Sequence, residues 1–267
     1  MNKSYKLAAF DLDGTLLNSD NQLSPENCAA LQDLEKNNII VVLISGRMHR
    51  SILPISNQIG LENPIISYNG GMVKHASSGE IFHHTPVPAD YAMEIISDCN
   101  EKGLHLNYCL NDKLYVAEKN QWSDLYETRT GVPANEVGNL STLQDETPTK
   151  LLIILPPDQL PPLLEQYQET YKEKLYVTQT QPEYIEFMNP DVTKGKALEA
   201  LAKRFGISLD NIVAFGDSYN DESLIRTSGF GIAMGNAVDP VKENADYITS
   251  TNDENGVAKA VYDIILR

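Results

Sequence analysis

The sequence offers little to thiol or soft-metal chemistry. Its only cysteines, Cys28, Cys99 and Cys109, are odd in number and far apart. That excludes a disulfide framework, and their spacing excludes a cysteine-based metal site. They are expected to be reduced and partly buried, as in a cytoplasmic protein. Histidine is equally sparse. His83 and His84 are adjacent in a strand-like run and so point to opposite faces, while His49, His75 and His105 are scattered. Any metal is therefore expected on oxygen ligands. Positive charge is short too: 21 Lys+Arg stand against 37 Asp+Glu, a formal net charge of −16. No basic face is available for a nucleic acid, and an anionic substrate would need a local cationic site. No apolar run is long enough to cross a bilayer, and the N-terminus lacks the pattern of a signal peptide. The single tryptophan, Trp122, reads as a packing residue. What remains is ample for folding, since 267 residues suffice for one large domain or two smaller ones.

The chain falls into three parts. Residues 1–81 alternate strand and helix: "KLAAF", a helix capped by Ser24 with Pro25 at its first position, "IIVVLIS", a helix ending before Gly60 with Pro54 inside it, and "NPIISYNGG". This βαβαβ order predicts a parallel sheet with right-handed crossovers. Residues 82–188 differ. A hairpin at Ser78-Gly79 leads in, and "LHLNYCL" and "KLYVAE" join at Asn111-Asp112. With "TKLLIILPP", "LYVTQT", "EYIEFMN" and two helices, they predict an antiparallel sheet with helices on one face. Residues 189–267 return to alternation. The fold class expected is α/β: a doubly wound, Rossmann-like parallel core (1–81 and 189–267) with an inserted α/β domain (82–188). Asn69-Gly70-Gly71 reads equally as a hinge into the insertion or as a tight turn.

Chemistry concentrates at the expected carboxyl ends of the strands, where open α/β sheets bind ligands. The first such loop carries Asp11 and Asp13. The second carries Ser45, Gly46 and Arg47, the third Lys194-Gly195, and the fourth Asp217, Asn220 and Asp221. Gathered together, four carboxylates repel. Two unit charges about 4 Å apart cost roughly 4 kcal/mol at an effective dielectric of 20. A hard divalent cation relieves that repulsion, and Mg²⁺ suits carboxylate and water oxygen. Lys194 adds positive charge, while Ser45, the amides after it and Asn220 can donate to phosphate oxygens. Arg47 can face a substrate or a neighbouring acid. Each stretch alone has a plain reading: an acidic turn, a strand-to-helix junction, a solvated lysine, a helix cap. Their joint occurrence is what points to a site.

"DLDGTL", "SGR", "KG" and "GDSYND" stand in the order of the four motifs of the haloacid dehalogenase superfamily, and the chain resembles that family over nearly its whole length. "GIAMGNA" and "ADYITSTNDENGV" extend the likeness. The long insertion resembles the cap of the Cof-like (subfamily IIB) sugar-phosphate phosphatases. The resemblance implies that Asp11 is a nucleophile forming a phosphoaspartate. It implies that Asp13 is the general acid/base, its backbone carbonyl also binding Mg²⁺, and that Asp217 is the main acidic metal ligand beside Asp11. Ser45, Gly46, Lys194 and Asn220 would hold phosphate, with Asp221 and Arg47 in support. Lys194 is preferred to the nearby Lys196 because the family's lysine directly precedes glycine. The implied function is Mg²⁺-dependent hydrolysis of a small phosphomonoester, a sugar phosphate by preference, with the cap selecting the substrate. Two other functions fit the same residues: a sugar phosphomutase, and a phospho-accepting signalling domain, which would lack an acid/base placed like Asp13. No nucleic acid or membrane partner is expected, and the oligomeric state is not legible.

Overall fold

In a computed structural model, which describes residues 4–267, the chain divides into two compact units. One is the chain up to His83 together with Thr193–Arg267; the other is His84–Val192.

The first unit opens with β1 (Leu7–Asp11), buried at every residue. In α1 (Pro25–Lys36) the Ser24 hydroxyl accepts the Asn27 N–H at 3.1 Å, and the N–H of Asn37, which follows the helix, donates to its last carbonyls. Next come β2 (Ile40–Ile44), α2 (His49–Ile59) and β3 (Pro64–Ser67). Gly60 stops α2 in the left-handed conformation, where a side chain would be strained. The chain then turns back through β4 (Met72–His75) and β5 (Ile81–His84). Asn69-Gly70-Gly71 is a tight turn between β3 and β4, which pair antiparallel, so it lies inside this unit. Gly70 has φ +105°, and a Cβ there would meet the Thr193 carbonyl oxygen at 2.4 Å.

The second unit contains α3 (Ala89–Lys102), β6 (His105–Leu110), β7 (Lys113–Val116), α4 (Gln121–Thr130) and β8 (Ala134–Glu136). It continues with β9 (Lys150–Ile154), α5 (Leu160–Thr170), β10 (Tyr176–Gln181) and β11 (Tyr184–Met188). Its sheet has the order β10-β11-β9-β6-β7-β8. Asn111 and Asp112 both take positive φ, as a two-residue hairpin between β6 and β7 requires. One face is apolar: Ile95 and Ile96 of α3 and Leu160 and Tyr167 of α5 pack on Leu106, Tyr108, Leu151, Ile153, Ile185 and Phe187. The sequence reading needs two corrections here. The sheet is antiparallel except for β7–β8, which is parallel. Nor are the helices all on one face. The α4 residue Tyr126 sits against Tyr184, on the side of β11 opposite Ile185 and Phe187. The sequence reading passed over α4 because it has no apolar stripe. Its signal lay in the caps, where Asn120 and Ser123 form a reciprocal capping box and Gly131 ends the helix.

The chain then completes the first unit with α6 (Lys194–Phe205), β12 (Ile212–Gly216), α7 (Glu222–Thr227) and β13 (Phe230–Ala233). It ends with α8 (Asp239–Asn244), β14 (Tyr247–Ile248) and α9 (Gly256–Ala260), the last running into a π turn. The sheet order is β14-β13-β12-β1-β2-β3-β4-β5, with β14 to β3 all parallel. Strand residues alternate between two cores, as buried parallel strands must. Phe10, Leu43 and Phe215 face α1, α2 and α9, and Ala9, Ile44 and Ala214 face α6. The unit is therefore doubly wound. The chain leaves β1 toward β2 on one side and returns through β12 on the other, which places the switch point between β1 and β12.

Candidate active site

The register of the strands brings the four loops together. Asp11 pairs with Ile44, so Ser45 follows directly beside it, and Phe10 pairs with Phe215, so Asp217 emerges on the other flank. Lys194 begins α6, capped by Thr193, whose hydroxyl accepts the Lys196 N–H at 3.1 Å. A cation in a first helical turn is unfavourable to the helix dipole. The compensation lies in two carboxylates. The buried Lys194 Nζ donates to Asp11 Oδ1 at 2.5 Å and to Asp221 Oδ1 at 2.6 Å. The other Asp221 oxygen accepts the Asp217 and Ser218 amides, each at 3.0 Å. Both Asp221 oxygens are thus engaged inside the protein, while Asp11 and Asp217 accept fewer hydrogen bonds and keep more lone pairs for a ligand.

Oxygens of Asp11, Asp217 and Asp221 all lie within 4.8 Å of one another. Burial, then Asp221, push the Asp11 carboxyl well above the usual range; Lys194 pulls the other way and Asp217 adds to the rise. Asp217 is pushed up to about 6 by burial and then by Asp221, against the Thr15 hydrogen bond and Lys194, with a last contribution from Asp13. Burial works against the Lys194 ammonium, but Asp11 and Asp221 outweigh it and hold its pKa above the ordinary lysine value. One lysine does not neutralise this cluster. An oxygen-only donor set short of positive charge fits a hard divalent cation such as Mg²⁺.

Asp13 lies apart from the cluster. It is half-exposed and paired with Arg47, whose Nε donates to Oδ2 at 2.9 Å and whose Nη2 donates to Oδ1. Of the two readings of Arg47, the neighbouring acid is the one present. Ser45 is buried, and its hydroxyl accepts the Arg47 amide at 3.1 Å. Asn220 donates to the Asn69 carboxamide at 2.9 Å, and a Cβ on Gly46 would meet that same Asn69 oxygen at 3.0 Å. Two residues escaped the sequence reading. Thr15 donates to Asp217 Oδ1 at 2.9 Å; it sits inside "DLDGTL", so the signal was adjacent. Asn69, held at φ +56°, enters the sequence reading only as part of a hinge or tight turn.

The arrangement is that of a phosphate-ester hydrolase built at the switch point of a parallel sheet. The chain belongs to the haloacid dehalogenase-like hydrolases, whose family model matches residues 8–261. Phosphatase YwpJ of Bacillus subtilis is 31% identical over 95% of this chain and 97% of its own. The 5-amino-6-(5-phospho-D-ribitylamino)uracil phosphatase YcsE of the same organism is 31% identical over 96% of this chain and 94% of its own. Among solved structures, that of TM0651 from Thermotoga maritima superposes with a TM-score of 0.90 at 33% identity, covering 97% of each chain. The protein is accordingly an enzyme, a phosphatase of small phosphorylated substrates. Among the described residues, no helix is long and apolar enough to cross a membrane.

Proposed function

We propose that the protein hydrolyses a small phosphomonoester, of a sugar or polyol, through a phosphoaspartate on Asp11. The observation that carries the reading is the division of labour between the aspartates. Asp11 is buried against a lysine, whereas Asp13 stands two residues on, outside the cluster and open to solvent. A carboxylate held beside an ammonium suits a nucleophile that must approach an anionic ester. Asp11 attacks phosphorus, and Asp13, released from Arg47, gives its proton to the leaving alcohol. Asp13 then takes a proton from the water that opens the phosphoaspartate. Ser45, the Gly46 amide, Lys194 and Asn220 orient the phosphoryl oxygens. Asp11, Asp217 and the Asp13 carbonyl are the groups to hold Mg²⁺, which when bound offsets the charge of ester and carboxylates. Asp221 keeps Lys194 and the Asp217 loop in place.

The ribityl phosphate in the name of YcsE supports a polyol leaving group. The unit His84–Val192 is assigned leaving-group selection, since the four loops supply phosphate contacts only. A cytoplasmic location is consistent with three free cysteines. The test is phosphate release from a panel of sugar, polyol and cofactor phosphates, with and without Mg²⁺, by wild type and Asp11→Asn. The expected result is Mg²⁺-dependent release that the variant loses. Near-wild-type release by Asp11→Asn would sink the covalent mechanism, and recovery of isomeric sugar phosphate instead of free phosphate would mark a mutase.

A further inference from the structure

One turn outside the four motifs touches both acidic loops through their backbones, the first of them by a side chain. Asn236 lies in "MGNA", in the turn after β13, where the Ala237 amide closes on the Met234 carbonyl at 2.9 Å. Though exposed, Asn236 uses both ends of its carboxamide. Its Nδ2 donates to the Gly14 carbonyl at 2.8 Å, and its Oδ1 accepts the Asn252 N–H at 3.0 Å. Asn252 is buried and donates in turn to the Leu17 carbonyl at 3.0 Å. Two residues on from Asn236, the Val238 amide donates to the Asp217 carbonyl at 2.9 Å. A single turn thus grips the Asp13 loop at Gly14 and the Asp217 loop at its own backbone.

Gly14 is where such a grip matters. It sits at φ +80° between Asp13 and Thr15, and a Cβ there would meet Asp217 Oδ2 at 2.5 Å. Only glycine fits, and glycine is the residue least able to hold its own conformation. Thr15, next along, fixes the other Asp217 oxygen. If Gly14 moves, Asp13, Thr15 and the Asp217 carboxylate all lose their common reference.

We infer that Asn236 is a positioning residue for the phosphatase reaction: by locking the Gly14 carbonyl it holds Asp13 and Thr15 in register with Asp217. The inference rests on the proposed roles of Asp13 and Asp217, so its test has one arm that needs no turnover. Hydrogen exchange of the metal-free protein reads residues 12–17, with β2 as an internal reference. Asn236→Ala should speed exchange of 12–17 at least about tenfold and leave β2 unchanged, as expected of local opening alone. Asn236→Asp still accepts from Asn252 but cannot donate to Gly14, so it should behave like the alanine variant. In steady-state assays both should lower kcat about 10- to 100-fold, the range for losing an outer partner of a metal site. KM for a small phosphate ester should stay within roughly twofold, since no group that touches substrate is removed. Unchanged exchange in 12–17, or a wild-type kcat in either variant, overturns the inference. If β2 exchange rises equally, Asn236 is merely structural and the inference also falls. Should the wild type show no Mg²⁺-dependent turnover, the functional reading fails while the exchange arm still decides whether Asn236 locks Gly14.

Discussion

Replacing Lys194 with methionine, Lys194→Met, puts the electrostatic account of the site at risk. The substitution keeps the length of the side chain and removes one charge from between two carboxylates, 2.5 Å from Asp11 and 2.6 Å from Asp221. All three residues are buried. At this contact the attraction of each pair is several kcal/mol, roughly 4 at 4 Å and an effective dielectric of 20. Much of it is offset by the cost of desolvating the charges. What the variant loses is therefore set by the carboxylates left unpaired, about 3–5 kcal/mol. That is a large part of a typical stability of about 5–15 kcal/mol. The loss must depend on pH. Asp11 and Asp217 already titrate above their unfolded values, so their contribution is present at low pH and is lost as pH rises through the folded pKa. Without Lys194 the folded values rise further, so the penalty is larger at pH 8 than at pH 5. Urea unfolding in chelator at both pH values measures this. Far-UV circular dichroism is the suitable signal, because Trp122 lies in the other unit. A loss under about 1 kcal/mol at pH 8, or an equal loss at both pH values, would refute the reasoning. The same variant should lose about 10²–10³-fold in kcat, as when a charge-stabilising donor is removed.

Other changes test separate parts of the structure. Gly14→Ala forces a Cβ to within 2.5 Å of Asp217 at φ +80°, and should cost about 1–3 kcal/mol with a fall in kcat; unchanged unfolding would mean the contact is slack. Asp13→Asn should lower kcat about 10²–10⁴-fold while leaving stability near wild type, and a kcat within tenfold would remove Asp13 as acid/base. His49 is buried at the start of α2 and held at about 4 by burial and then by Lys74. Its folded pKa lies below the unfolded value near 6.5, so stability is lost as pH falls from about 6.5 toward 4, by about 3 kcal/mol. His49→Leu should flatten that part of the stability–pH curve relative to wild type; parallel curves would show that His49 is free to charge. Exchanging the segment His84–Val192 for that of a relative with another substrate should change substrate ranking while Mg²⁺ dependence persists, and an active chimera with the original ranking would locate specificity elsewhere.

How much of this was legible in the sequence follows from how local each signal is. Ser24 before Pro25, Gly60 and Gly206 after their helices, and Asn111-Asp112 between strands act through their own backbones, so the elements could be read directly. The apolar runs of β1, β2 and β12 were legible as strands, and their alternation with helices predicted the doubly wound core in which both faces are covered. The four acidic and basic loops were visible as motifs because each is contiguous. Other features depend on partners remote in the chain. That Asp221 serves Lys194 and two amides, that Arg47 grips Asp13, and that Thr15 orients Asp217 rest on strand register and on α6 lying beside α7. Gly195 permits that closeness, since a Cβ there would meet the Ser223 carbonyl oxygen at 2.4 Å. The placement of α4 and the parallel pairing of β8 were hidden for the same reason, because helix capping says where a helix starts and not which face of a sheet it covers. The sequence by itself determined the elements and the types of charge at their ends. Only the tertiary structure decided which carboxylate meets the lysine and which is left to a ligand, because charges interact through space and burial sets their strength.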